Sequence, residues 1–290
     1  MQTLNEYLQQ RFGCKVYKIA LDGGFTCPVR DGTLDTRGCI FCSAGGSGEF
    51  AEDRDLSITE QIEKGKQRVA KKIRDGKYIA YFQAYTGTYA PTERLHSLYE
   101  EAIRHPDIAV LSIATRPDCL GEEVLDLLEE MNRIKPVWVE LGLQTIHERT
   151  AAYIRRGYPL EVYEKAVKVL HERNIEVITH LIIGLPGESC EDICASVRYV
   201  CEKKTDGLKL QLLHVLKGTD LEKEYRQGKI HVLSGDEYMD ILKACVSLIP
   251  EDVVIHRLTG DGDKKLLAAP LWSADKKHVL NRIRQEVLMS

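Results

Sequence analysis

The chain has 290 residues, of which 43% are hydrophobic and 29% charged, and its formal net charge is −4. The length suits about two domains or one large barrel with appendages, and the charge excludes a globally basic nucleic-acid binder without excluding a local basic patch. No apolar run reaches the roughly 18 residues of a membrane span, and residues 1–6 lack the basic and apolar segments of a secretory signal. We therefore expect a cytoplasmic protein without membrane attachment.

Hydrophobic periodicity predicts strands and helices that alternate along most of the chain. A short amphipathic helix is expected at 4–12, ahead of the first strand. Strands are predicted at 16–21, 78–85, 108–115, 137–144, 176–184 and 208–214. Helices are predicted at 59–74, 91–105, 122–133, 189–203, 220–227 and 235–248, and helical residues follow the fourth strand as far as His171. This order is that of about six βα units in series, so we expect a parallel sheet.

Polar residues mark one face of three predicted strands. They are Trp138, Glu140, Gly142 and Gln144 in the fourth strand, Lys209 and Gln211 in the sixth, and Tyr81, Gln83 and Tyr85 in the second. Parallel sheets are normally buried on both faces, and a fully packed barrel would fill its interior with Val, Ile and Leu. The polar face therefore predicts an open or wide barrel that encloses a polar ligand. The alternative is an open sheet whose register has been assigned wrongly.

A long Gly- and Asp-rich segment, 22–56, separates the first strand from the next helix, and loops of this length inside a domain are usually functional. It contains Cys27, Cys39 and Cys42 in the spacing Cys-x11-Cys-x2-Cys. Thiolates are soft ligands for iron–sulfur clusters and zinc, and a structural zinc site uses four ligands rather than three. No histidine lies between residues 15 and 95, which leaves only a distant one as a fourth ligand. We predict a metal site, and an iron–sulfur cluster would keep one iron open.

The cysteines and their surroundings resemble the radical S-adenosylmethionine (radical SAM) superfamily, in which three cysteines follow the first strand of a partial barrel. Phe41, just before the third cysteine, fits that pattern. The spacing departs from the commonest Cys-x3-Cys-x2-Cys and is similar to the branch that includes the catalytic subunit of the elongator complex. Over nearly its whole length, the chain resembles the YtqA/YhcC-like family. The segments that carry this resemblance are 81–91, 115–118, 140–145, 180–188 and 257–261.

The resemblance implies an α/β fold, a partial (βα)6 TIM-like barrel with a short N-terminal helix. The core would span 1–250, with the cluster loop at 22–56, and a C-terminal extension, 251–290, would pack on it. A [4Fe-4S] cluster would be held by Cys27, Cys39 and Cys42, and SAM would chelate the open iron and be cleaved to a 5′-deoxyadenosyl radical. By position in the motifs, the residues implied to contact SAM are Phe41, Thr86, Gly87, Thr88, Glu140, Gln144, Arg156, Gly184, Leu185 and Pro186.

The same resemblance implies a substrate, the C5 side chain of the wobble uridine in the tRNA anticodon loop. The step would convert 5-carboxymethylaminomethyl-uridine to 5-aminomethyl-uridine, for a downstream tRNA methyltransferase to modify. An electron donor such as flavodoxin or ferredoxin would be required. The chain has no room for the acetyltransferase domain of the elongator subunit. Two alternatives remain: radical chemistry on a small metabolite or tetrapyrrole, and a zinc-stabilised RNA-binding module.

Several other residues allow both a functional and a structural interpretation. Three cysteines of the helix predicted at 189–203 share one face: Cys190, Cys194 and Cys201. They are either ligands of a second cluster or buried thiols without a metal. His180 and His214 are either structural or face the cavity. For RNA contact we single out the basic segment 64–77 together with Arg257 and Lys264 or Lys265; the alternative is a solvated helix face. The nearby residues Tyr78, Tyr81, Tyr85 and Tyr89 are either stacking surfaces for bases or core residues.

Overall fold

The structure, a computed structural model, describes residues 2–73, 75–260 and 262–289. Within these ranges the main sheet has eight parallel strands and curls into a half-barrel. Its strands are β1 Gln2–Thr3, β2 Lys15–Leu21, β3 Gly76–Phe82, β4 Ile108–Thr115, β5 Val137–Gln144, β6 Glu176–Ile183, β7 Gly207–Leu212 and β9 Val254–Arg257. The short strands β8 Val215–Leu216 and β10 Leu267–Ala269 form a separate antiparallel pair.

Helices connect the strands and cover the outside of the sheet. They are α1 Leu4–Phe12, α2 Ile58–Val69, α3 Thr92–Arg104, α4 Glu122–Ile134, α5 Glu148–Tyr153, α6 Leu160–Glu172, α7 Cys190–Glu202, α8 Asp220–Arg226, α9 Gly235–Val246 and α10 Lys276–Ile283. A capping box starts α2, where Ser57 accepts from the backbone N–H of Glu60, whose carboxylate accepts in return. No helix in the described ranges is long and apolar enough to cross a membrane.

The strands run in the spatial order β1-β9-β7-β6-β5-β4-β3-β2. The six central βα units and their parallel pairing confirm the predicted fold class. Residues 251–290, predicted as an extension, contribute β9 to the same sheet, where it pairs with β7 on one side and with β1 on the other. The two edges, β1 and β2, do not pair with each other in the described ranges, so the barrel stays open on that side.

Three predicted boundaries were wrong. The strand predicted at 78–85 ends at Phe82, because the backbone of Tyr85 adopts a left-handed conformation with φ +58°. The helical stretch after β5 is broken between Tyr153 and Leu160, where Arg155 and Gly157 have positive φ. The helix predicted at 59–74 ends at Val69, and Arg74 lies outside the described residues.

Two apolar layers hold the half-barrel together. The larger one lies between the outer faces of the strands and the helices. The smaller one closes the N-terminal end of the barrel interior, where Leu8 of α1 packs with Val16, Ile79, Val110 and Trp138. This plug leaves the remaining interior, toward the carboxyl ends of the strands, to polar side chains.

Candidate functional site

The cluster loop, residues 22–56, begins at the carboxyl end of β2. Its 11-residue gap between the first two cysteines is a closed excursion, because the backbone N–H groups of Leu34 and Gly38 donate to the carbonyls of Pro28 and Val29 at 2.7 Å each. The excursion returns the chain so that Cys39 lies near Cys27. The long spacing therefore still brings the thiols together.

Arg30 holds the second half of this loop. Its guanidinium donates to the carbonyls of Cys42 and Ser43 at 2.8 and 2.5 Å and lies over the ring of Tyr85. Gly38 is required beneath it: its φ is +70°, and a Cβ there would lie 2.8 Å from Nε of Arg30. These contacts fix the backbone on both sides of the Cys-x2-Cys turn.

The three loop thiols lie close enough to influence one another. Burial raises the pKa of Cys39 to about 12, helped by Cys42 and Cys27 and opposed by Arg116. Burial also raises the pKa of Cys42, against the charge of Arg30. Cys27, Cys39 and Cys42 therefore lie near one another and near the guanidinium groups of Arg30 and Arg116.

A cavity of about 170 Å³ lies beneath the thiols, and all three cysteines line it. The polar strand faces predicted from the sequence line the same cavity, which confirms the assigned register. They contribute Tyr81, Glu140, Gly142, Gln144, Lys209 and Gln211. Gln83 and Tyr85 line the cavity from the segment after β3, and Trp138 of the predicted face lies in the apolar plug instead. Parallel strands therefore enclose a polar space beneath the cysteines, as the strand faces predicted.

The segment after β3 brings Thr86 to the cavity wall, where its backbone N–H donates to the carbonyl of Thr26 in the cluster loop. Gly87 lies so tightly against β4 that a Cβ would meet the carbonyl oxygen of Ala114 at 2.8 Å. The hydroxyl of Thr88 instead contacts Thr115 and does not line this cavity. Of these three residues implied to contact SAM, only Thr86 lines the cavity.

Three further residues implied to contact SAM line the cavity: Phe41, Gln144 and Arg156. Gln144 ends β5 with φ +72°, and its buried Oε1 has no hydrogen-bond partner in the described part of the chain. Arg156 is 2% exposed and donates to the carbonyls of Thr145 and Tyr158. Gln144 therefore lines this space with a side chain whose buried amide oxygen is unsatisfied in the described part of the chain.

The last implied SAM segment, Gly184, Leu185 and Pro186, follows β6 and is not among the described residues that line the cavity. Leu185 packs in a small apolar cluster with Ile40 and Ile182. Through Leu185, this segment packs against Ile40 of the cluster loop. The contact with the adenine of SAM that the resemblance implies remains a prediction.

The tenth implied SAM residue, Glu140, lies at the floor of the cavity and is fully buried. Its Oε1 accepts from Lys18 at 2.7 Å and from Ser112 at 2.6 Å, and its Oε2 accepts from His180 at 2.8 Å and from Lys209. We call these five residues the floor cluster. Lys18 was not predicted, although a lysine in the middle of a buried parallel strand is a signal of a charged interior.

The pKa values of the floor cluster follow from burial and mutual charge. Burial acts to raise the pKa of Glu140, but Lys18, Lys209 and His180 outweigh it and hold that pKa well below its ordinary value. Burial lowers the pKa of Lys209 well below its ordinary value, against the attraction of Glu140. Burial and the charge of Lys209 lower the pKa of His180 to about 4. The cluster therefore contains an ionised carboxylate, two lysines and a neutral histidine.

A second cavity, of about 630 Å³, occupies the open side of the barrel between β2 and the strands β1 and β9. We call it the lateral mouth. Glu52 is the sole carboxylate among its described lining residues, and the cations are Lys15, Lys18, Arg68, Lys72, Arg257 and Lys276. Tyr81, Gln83 and Arg257 also line the cavity beneath the cysteines, so the two spaces adjoin.

The structure divides the predicted basic segment. Arg68 and Lys72 line the lateral mouth, where Arg68 pairs with Glu52. Lys66 is engaged by Glu63 and Asp107 at 2.7 and 2.5 Å. Arg257 lines the mouth, whereas Lys264 and Lys265 do not. Asp261, in one of the segments carrying the resemblance, lies outside the described residues.

The three cysteines predicted to share a helix face do not all lie together, whereas Cys119 lies near Cys27 of the cluster loop. Cys190 and Cys194 lie near Cys245 of α9, whereas Cys201 faces Asp252. His180 belongs to the floor cluster, and His214 lines a further cavity, of about 170 Å³, that adjoins the one beneath the thiols. Cys201 therefore lies apart from the other two cysteines of α7, and the three do not form one site.

Comparison with known proteins identifies the class to which this fold and site belong. The radical SAM superfamily matches residues 36–200, and the radical SAM C-terminal domain matches residues 205–288. The chain belongs to the radical SAM superfamily, as the cysteine motif indicated.

Individual relatives narrow this placement. Protein YtqA of Bacillus subtilis is 46% identical over 285 residues, covering 98% of this chain and 88% of that protein. Protein YhcC of Escherichia coli is 37% identical over 270 residues, covering 93% and 86%. These two similarities confirm the resemblance to the YtqA/YhcC-like family.

More distant similarity extends to a tRNA-related protein. The tRNA uridine(34) acetyltransferase of Methanocaldococcus jannaschii is 29% identical over 164 residues, 56% of this chain and 30% of that protein. Among solved structures, Elp3 of Methanocaldococcus infernus superposes with a TM-score of 0.68 at 19% identity, covering 93% of this chain and 63% of that one. The superposition establishes the shared half-barrel fold.

Proposed function

We propose that this radical SAM enzyme binds a [4Fe-4S] cluster through Cys27, Cys39 and Cys42, and SAM in the adjoining cavity. The observation that supports this most is that three thiols of one loop face a polar cavity whose wall carries the unpartnered amide oxygen of Gln144. Three thiolates would leave one iron open for SAM. When bound, the cluster and SAM would supply a 5′-deoxyadenosyl radical that abstracts a hydrogen atom from the substrate.

The chain's own residues position these groups and exclude water. Arg30 and Arg116 line the cavity and offset the negative charge of three thiolates. Gln144 and Thr86 both line the cavity, and the amide of Gln144 would hydrogen-bond to SAM. Phe41 and Ile154 add apolar surface to the lining.

For the substrate, we propose the wobble uridine of tRNA, whose 5-carboxymethylaminomethyl group would be converted to 5-aminomethyl. The carboxymethyl carbon next to nitrogen would be oxidised by two electrons, with SAM reduced to methionine and 5′-deoxyadenosine, and water would then cleave the C–N bond and release the two carbons as glyoxylate. Similarity to a tRNA uridine(34) acetyltransferase supports this class of substrate. A base in a single-stranded anticodon loop leaves its stack at low cost and can then reach a buried site. In this scheme an electron donor such as flavodoxin or ferredoxin and a tRNA methyltransferase act with the enzyme in the cytoplasm.

The lateral mouth is the surface that fits the RNA. Its cations would contact phosphates, and each such contact releases counterions, so binding should weaken as salt rises. We expect Lys72→Ala to reduce the slope of log affinity against log salt by about one. Lys66→Ala is the matched control, because Lys66 is already neutralised by Glu63 and Asp107, and it should leave the slope nearly unchanged. Equal slopes for the wild type and both variants would place the RNA elsewhere.

Mass spectrometry of tRNA nucleosides from a strain that lacks the protein tests the substrate directly. We expect 5-carboxymethylaminomethyl-uridine to accumulate and its aminomethyl products to disappear, with recovery on expression of the wild type but not of Cys39→Ala. An unchanged nucleoside profile would refute the tRNA substrate and favour radical chemistry on a small metabolite or tetrapyrrole.

A further inference from the structure

The floor cluster has two lysines and one carboxylate, so with both lysines protonated one positive charge is in surplus. Lys18 and Lys209 share the single carboxylate of Glu140, and their side chains are only 18% and 4% exposed. His180 is neutral because its pKa is lowered to about 4. Buried charges are normally paired, because the free-energy cost of removing an unpaired charge from water is not offset by attraction to an opposite charge. The second lysine therefore lacks an anion of its own, and burial lowers the pKa of both lysines against the attraction of Glu140.

This surplus charge lies where the two cavities meet. Lys209 lines the cavity beneath the cysteines, and Lys18 lines the lateral mouth. The ring of Tyr81 lies between them, with its centroid 4.3 Å from Nζ of Lys18 and 4.6 Å from Nζ of Lys209. Tyr81 and Gln83 line both spaces. A group that enters through the mouth and approaches the cysteines therefore passes both lysines.

We propose that Lys18 and Lys209 bind a carboxylate of the substrate at this junction. The inference rests on the proposed function and deepens it, because the carboxymethylaminomethyl group carries a carboxylate that the aminomethyl product lacks. The substrate group, with one carboxylate and one ammonium, has no net charge, whereas the product group has a net positive charge. The lysine pair thus attracts the substrate and repels the product, which assists product release.

Two variants remove the surplus charge without breaking the buried ion pair. Lys209→Met leaves Lys18 with Glu140, and Lys18→Met leaves Lys209 with Glu140. Lys71→Met is the matched control, because Lys71 is exposed and lines neither cavity. Far-UV circular dichroism and the melting temperature establish that each variant folds.

The probes are anticodon stem–loop RNAs whose wobble uridine carries either the carboxymethylaminomethyl group or its uncharged carboxamide analogue. Dissociation constants are measured anaerobically by fluorescence anisotropy on the reconstituted protein, with saturating SAM and no reductant. We expect the wild type and Lys71→Met to prefer the carboxylate by about 10- to 100-fold, as for a hydrogen bond to a charged group. Lys209→Met and Lys18→Met should reduce the preference to about twofold or less. The proposal is overturned if both lysine variants keep the full preference for the carboxylate RNA, or if the wild type shows no such preference.

The free nucleosides 5-carboxymethylaminomethyl-uridine and its carboxamide form a second arm, measured by thermal shift at millimolar concentration. If neither RNA binds but the wild type still prefers the acidic nucleoside in a lysine-dependent way, the tRNA substrate is refuted and carboxylate binding stands. If both RNAs bind equally well, the tRNA substrate stands and carboxylate binding is refuted. If neither the RNAs nor the nucleosides show a preference, carboxylate binding is likewise refuted. The carboxylate of SAM is the other anion available, so SAM affinity is measured too. An equal loss of SAM affinity in the lysine variants would assign the lysines to SAM and overturn the proposal.

Discussion

Replacing Glu140 with glutamine tests the electrostatics of the floor cluster most severely. The substitution preserves the volume and a hydrogen-bonding group but removes the negative charge shared by Lys18 and Lys209. Both lysines would then be buried without an anion to stabilise their charged forms. Loss of one partner from a buried ion pair typically costs about 3–5 kcal/mol of folding free energy.

The expected size of the effect is measurable. With an unfolding entropy of about 2.1 cal/mol/K per residue, a chain of 290 residues should lose about 5–8 °C in melting temperature. Urea unfolding of the apo-protein, followed by circular dichroism and by the fluorescence of Trp138 in the buried plug, gives the same quantity as a free energy.

Lys209→Met is the matched control for this experiment, because it leaves one lysine paired with Glu140. Replacing a buried charge by an apolar side chain of similar volume is often neutral or stabilising when no partner is left unpaired. We expect its free energy of unfolding to stay within about 1 kcal/mol of the wild type. If Glu140→Gln is as stable as the wild type, or if Lys209→Met is destabilised equally, the proposed charge arrangement is wrong.

Three further predictions concern the cluster, SAM and pH. Alanine at Cys39 should abolish the brown chromophore of the reconstituted protein, whereas Cys190→Ala should retain it; the opposite pattern would overturn the ligand assignment. Gln144→Ala should weaken SAM binding about 5- to 150-fold without loss of iron, and unchanged affinity in calorimetry would exclude this contact. The folded-state pKa of His180, about 4, lies below the unfolded value of about 6.5, so the unfolded state gains a proton first as pH falls. The free energy of unfolding should therefore fall between pH 6.5 and pH 4, by up to about 1.4 kcal/mol per pH unit, and it should fall less steeply in His180→Gln. If urea unfolding gives the same pH dependence for the wild type and His180→Gln, His180 is not its origin.

The parts of the site that could be predicted from the sequence are those with a local signature. The cysteine spacing marks the cluster loop, and the alternation of Glu140, Gly142 and Gln144 along β5 marks the inner face. Both signals depend only on residues close together in the chain, so no knowledge of the strand order was needed. The polar faces of the strands then confirmed one another by lining one cavity.

Contacts between distant segments could not be predicted in the same way. Lys18 and Glu140 are 122 residues apart, and their pairing depends on the curvature and register of the four strands β2 to β5, two of which lie between them. Strand β9, Val254–Arg257, is only four residues long and was hidden within the expected extension. Its position beside β7 places Arg257 at the junction of the two cavities.

The break between α5 and α6 is another case where local periodicity misleads. Residues on both sides favour a helix, but Arg155 and Gly157 adopt positive φ and Pro159 precedes α6. The turn allows the buried guanidinium of Arg156 to donate to the carbonyl of Thr145 at 2.6 Å and to face the cavity. A continuous helix would not place it there, so the irregularity serves the site.

The most direct test of the whole account is the formation of 5′-deoxyadenosine. The reconstituted protein is incubated anaerobically with SAM, dithionite and an anticodon stem–loop that carries 5-carboxymethylaminomethyl-uridine, beside Cys39→Ala as a control. We predict that the wild type releases 5′-deoxyadenosine while the RNA gains 5-aminomethyl-uridine, and that Cys39→Ala produces neither. Zinc in place of iron at the three cysteines, with no 5′-deoxyadenosine above the level of the Cys39→Ala control, would contradict the account.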